Sequence, residues 1–75
     1  MMMRRFLIVI EKSKDGYGAY SPDLPGCVAV AETRRAVEEK IYEAINFHIE
    51  GLIEDGLPVP DSESSAEYVM LPISA

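Results

Sequence analysis

Few side chains of this sequence could do chemistry, and those few are scattered. His48 is the only histidine and Cys27 the only cysteine among 75 residues. A reactive thiolate needs a base or a helix N-terminus beside it. No histidine lies near Cys27 in sequence, so a small buried strand residue is the expected role. His48 falls beside an apolar helical stripe with Ala44, Glu43 and Leu52 as neighbours, which makes neither a metal-ligand set nor a proton relay. Asp15, Asp23 and Asp61 each adjoin Gly or Pro, where a carboxylate serves turns by accepting from backbone amides. A metal-dependent nuclease needs carboxylates that project together, and only Glu11 and Glu67 stand at candidate strand positions. Gly16 and Gly18 lack the further glycines and the lysine of a phosphate loop. No catalytic residue, cofactor site or metal site is expected.

Charge and size point to binding. Thirteen acidic residues against seven Lys and Arg give a net charge of -6. Such a surface repels nucleic acid unless its cations gather. The only clusters are the pairs Arg4/Arg5 and Arg34/Arg35, so a basic protein is the expected partner and DNA binding is not. A chain this short buries a smaller share of its surface than a larger one does, which makes oligomerisation or partner binding a natural source of extra stability. The lone cysteine excludes an internal disulfide. No apolar run reaches the roughly 18 residues of a membrane span. The apolar start, Phe6 to Ile10, stops at Glu11 without a small-residue cleavage site. A soluble cytoplasmic protein is expected.

The elements that must position these residues can be read in order along one domain. Arg5 to Glu11 is β-rich and suits a strand. Asp15-Gly16 signals a hairpin, and Tyr17 to Ser21 forms the returning strand. Pro22 stops the ladder, and Pro25-Gly26 suits the centre of a type II turn. Cys27 to Ala31 is a third strand. Thr33 caps a helix whose apolar positions Val37, Ile41, Ala44/Ile45, His48/Ile49 and Leu52 recur at three- and four-residue spacing. Gly56 suits the C′ position and Pro58 prevents continuation. Gly51 inside the helix costs about 1 kcal/mol against alanine, which suggests a close packing contact. Ala66 to Leu71 completes a fourth strand.

Candidate contact residues follow from this layout. Phe6, Ile8 and Ile10 point one way and Leu7 and Val9 the other. One helix covers one face, so Leu7 and Val9 are expected to meet loops or another chain. Tyr17 and Tyr20 suit either strand packing or a partner-facing edge. Arg34 and Arg35 sit in the first helical turn, where the dipole disfavours cations. Either Glu38 and Glu39 compensate them one turn on, or they mark a contact for an anionic surface.

The order Gly16-Tyr17, Pro22-Asp23-Leu24-Pro25-Gly26-Cys27, Thr33, Glu43-Ala44-Ile45 and Glu54-Asp55-Gly56-Leu57-Pro58-Val59-Pro60 closely resembles the HicB-like antitoxin family. The resemblance covers about residues 5–72 of a single domain spanning 1–75. It implies an α+β fold, β-β-β-α-β, a degraded ribonuclease-H-like sheet with one long helix on one face and the fourth strand returning beside the first. It also implies a non-enzymatic module that neutralises a small basic, mRNA-cleaving HicA-like toxin. Two departures stand out. The sequence given ends at Ala75, without the DNA-binding segment usual in the family, so autoregulation through this chain is not expected. Ala36-Val37 replaces the Glu-Ala that usually follows the capping threonine. Alternatives are a stand-alone homo-oligomeric domain, a residual metal-dependent nuclease and an RNA-binding protein.

Overall fold

The computed structural model describes residues 3–74. Three strands, β1 (Val9–Lys12), β2 (Tyr17–Tyr20) and β3 (Val28–Ala31), precede a 21-residue helix, α1 (Arg34–Glu54). The strands form one antiparallel sheet in the order β1-β2-β3, so the arrangement is α+β as expected.

Each junction has a local cause. Ser13 donates to the Gly16 carbonyl at 2.8 Å and closes the first hairpin. Gly16 is required there by proximity: an added Cβ would lie 2.4 Å from the Ala31 carbonyl oxygen. The β2–β3 connection is a double turn. Leu24 donates to the Ser21 carbonyl, and Cys27 donates to the Leu24 carbonyl across Pro25-Gly26. Gly26 has φ 91°, the positive value that the third position of a type II turn demands. The two turns drive Leu24 inward until it is fully buried.

The helix begins and ends as its sequence predicts. Thr33 Oγ1 accepts from the Ala36 amide at 3.1 Å. At the other end Gly56 has φ 69°, its amide donates to Ile53 and the Leu57 amide donates to Leu52. That pair of bonds is a Schellman motif, with glycine in the position that tolerates left-handed backbone. Gly51, in contrast, has no packing reason: an added Cβ would meet nothing within 4 Å.

The core lies between α1 and one face of the sheet. Ala19, Leu24, Cys27, Val37 and Ile41 are buried, with Phe6, Ile8, Ile10, Tyr17, Ile45 and Ile49 packed around them. A 21-residue helix is about 31 Å long, whereas four-residue strands span about 13 Å. The helix therefore outruns its sheet. Val37 and Ile41 in its first half are buried, while Ile45, Ile49 and Leu52 beyond them are half-exposed.

The fourth strand expected over residues 66–71 is not formed. Residues 55–74 carry no strand pairing, and Tyr68 to Leu71 are exposed. The expected return beside the first strand is met in placement alone. Residues 62–66 run beside Arg5, Phe6 and Leu7, and residues 66–68 border a slot whose opposite wall is Ile8, Val9 and Ile10. A strand needs hydrogen-bonded contact with a neighbouring edge, and across this slot that contact is missing.

Candidate functional site

Pleating decides which side chains are offered outward. Cross-strand partners share a face, so the register Val9–Tyr20–Val28 and Glu11–Gly18–Val30 places these residues together on the face away from α1. Leu7, two residues before Val9 and outside β1, falls on the same side by strand period and lies at the margin of this face, beside residues 62–66. Val28 is 64% exposed, Val30 73% and Tyr20 40%. The result is an apolar, uncovered sheet face centred on Tyr20.

The predicted contact residues thus separate into three places. Leu7, Val9 and Tyr20 are brought together on the open face. Tyr17 pairs with Lys12 and Ala31 on the helix-facing side, where it packs against the core. Arg34 and Arg35 stand at the start of α1 and face Glu38 and Glu39 at 4.0 and 3.7 Å. These are i,i+4 ion pairs, worth a few tenths of a kcal/mol each, and they offset the misplaced charge at the helix N-terminus. Val28 and Val30 lie on the same open face without having been singled out from the sequence. Their alternation with Ala29 and Ala31 was the available signal: small side chains face the helix and larger ones face out.

Asp23 organises the edge of this face. Its Oδ2 accepts from the Leu7 amide and from Ser62 Oγ, both at 2.7 Å. Ser21 Oγ donates to the Leu7 carbonyl at 2.8 Å. The Leu7 amide first, then Ser62 and the amides of Ser64 and Glu63, hold the Asp23 carboxyl below the usual carboxylate value, because each donor favours the charged form. One carboxylate thereby fastens the N-terminal approach to β1, the Pro-Gly loop and the segment after the helix. Arg4 fastens the same two segments further along, through the Asp61 carboxylate and the Val59 carbonyl.

The residues of chemical type do not assemble into a reacting centre. Cys27 and His48 border a shallow groove with Gly51 and Asp55. The thiol is buried, its pKa is raised by that burial, and its nearest partner is the Ala44 carbonyl at 4.0 Å. No hydrogen bond joins Cys27 to His48 among the described residues. Glu11 lies on the open sheet face, whereas Asp23 is occupied by amide and hydroxyl donors. No group of three or more potential metal ligands gathers among the described residues, and no helix there is long and apolar enough to cross a membrane.

Comparison with known proteins gives the family and the fold. Residues 6–72 match the family described as the HicB-like antitoxin of bacterial toxin-antitoxin systems. An uncharacterized 14.9 kDa protein of Haemophilus phage HP1 is 42% identical over 65 residues, which are 87% of this chain and 49% of that protein. The chain thus spans about half the length of that relative. A UPF0150 protein of Synechocystis is 37% identical over 59 residues, covering 77% of this chain and 75% of its own length. A UPF0150 protein of Archaeoglobus fulgidus is 42% identical over 69% of this chain and 80% of its own length. Among solved structures, a chain of a HicA3 and HicB3 toxin-antitoxin complex superposes with a TM-score of 0.61 at 31% identity. That match covers 79% of this chain and 72% of the other.

Proposed function

Because the chain belongs to the HicB-like antitoxin family, we propose that it is a non-enzymatic binding module that sequesters a small basic HicA-like toxin. The observation that carries this reading is the likeness, at 31% identity, to a chain of a solved toxin-antitoxin complex. The open sheet face supplies the seat. Leu7, Val9, Tyr20, Val28 and Val30 give the apolar centre that a specific interface requires, with Glu11 at its margin as a contact for a cation. The net charge of -6 draws a basic partner towards the molecule and repels competing RNA.

The test is co-expression with a HicA-like toxin encoded beside this chain, followed by co-purification and titration. Association is expected at micromolar concentration or tighter. The substitution Val30→Lys, which places a cation in the centre of the open face, is expected to weaken binding at least tenfold while leaving the helical circular dichroism unchanged. Absence of any association with the wild-type chain would sink the proposal. Full-strength binding by Val30→Lys would remove the sheet face from it.

A further inference from the structure

The two edges of the sheet are treated differently. The Ser13–Gly16 bond fixes which groups point across the ladder, because bonded pairs alternate along an antiparallel ribbon. By that alternation Val28 and Val30 turn their backbone groups to the free side of β3, and Ile8 and Ile10 turn theirs to the free side of β1. Lys40 reaches across and donates to the Val30 carbonyl at 3.2 Å, which occupies one outward group of the β3 edge. The β1 edge has no such cover: among the described residues no hydrogen bond satisfies the outward groups of Ile8 and Ile10. A flat apolar edge of this kind is a template for another strand.

A strand of the right kind leaves the same molecule unpaired. Tyr68-Val69-Met70-Leu71 is apolar at every position, the pattern of a strand buried on both faces. Yet these residues are 103%, 83%, 93% and 73% exposed, and Ile73 is 82% exposed. Among the described residues the segment makes no backbone–backbone bond to the body. The molecule is elongated, 54 × 27 × 22 Å with a radius of gyration of 15.0 Å, where a compact chain of this length has about 11 Å.

We propose that residues 67–73 are an exchanged strand: they pair with the free β1 edge of a second copy, whose own segment pairs reciprocally with the first. Asp23, Ser62 and Arg4 hold the base of the segment against its own body, while Tyr68 to Leu71 beyond it are left exposed. Reciprocity satisfies both orphan edges with one contact repeated by two-fold symmetry. A tyrosine alone buries about 150–250 Å², so two such segments with their aliphatic neighbours reach the roughly 1,200 Å² at which specific interfaces begin. The exchange is independent of any toxin.

Light scattering on the purified chain without a partner is expected to give a dimer, and the double variant Val69→Asp/Leu71→Asp a monomer with unchanged helical circular dichroism. A monomeric wild type, or a dimer that survives the double variant, overturns the proposal. A second measurement does not depend on the folding of that variant. In a Cys27→Ser background, Ile8→Cys protein is mixed with separately purified Met70→Cys protein and oxidised mildly. A mixed disulfide identified by mass is the expected product, and its absence counts against the exchange because only a segment acting on another chain can form it.

Discussion

At the scale of single residues, Asp23 holds more of the molecule together than its place in a loop suggests. Its carboxylate ties the Leu7 amide to Ser62, 55 residues further along the sequence from Leu7 by number and adjacent in space. The donors lower its pKa, so the sign of its pH dependence follows. An acid whose folded pKa lies below its unfolded value stabilises the fold fully above that unfolded value, and the contribution is lost as pH falls through the folded one. The tie is therefore intact at neutral pH, begins to weaken below about pH 3.8, the ordinary value of the group, and is lost as pH falls through the lower folded value. Amide hydrogen exchange at Leu7, Glu63 and Ser64 is expected to accelerate in Asp23→Asn at neutral pH, in the manner of the wild type in acid. Unchanged protection in Asp23→Asn would show that the carboxylate's charge is not what holds these segments.

At the scale of elements, two glycines of one sequence have opposite consequences. Gly16→Ala forces a methyl group against the Ala31 carbonyl oxygen, and overpacking of this kind costs about 1–3 kcal/mol. Gly51→Ala adds a methyl group in open space within α1 and is expected to stabilise the chain by up to about 1 kcal/mol. Chemical denaturation of the two variants should move the midpoint in opposite directions. The close contact expected at Gly51 is absent and the one at Gly16 was not foreseen, because spacing reveals helical period but not which backbone approaches which. What was legible had local causes: Thr33 as cap, Pro25-Gly26 as turn, Gly56 as stop, and the stripe from Val37 to Leu52. The open face was legible only in part. Leu7 and Val9 were readable from alternation, whereas Tyr20 was not told apart from Tyr17, and Val28 and Val30 joined the face through a register that long-range pairing sets. The fourth strand expected over residues 66–71, beside the first as the family resemblance implies, is not formed, because an apolar segment does not by itself fix the edge with which it pairs.

At the scale of the whole molecule, the charge of -6 separates the two proposed associations, because it acts on them with opposite sign. A basic toxin is attracted, so added salt screens a favourable field and slows the encounter. A second copy carries the same negative charge, so added salt screens a repulsion and assists pairing. The exchanged strand is largely apolar and has little favourable charge pairing to lose. Raising ionic strength from low to several times the physiological value is thus expected to slow toxin association while leaving the homodimer equally stable or more stable. Stopped-flow binding to the toxin and sedimentation of the chain alone, over the same salt series, read the two slopes separately. A dimer that dissociates with salt would place charged groups, rather than the Tyr68–Leu71 strip, at its interface. A toxin association rate indifferent to salt would remove the acidic surface from recognition and leave the apolar sheet face to carry it alone.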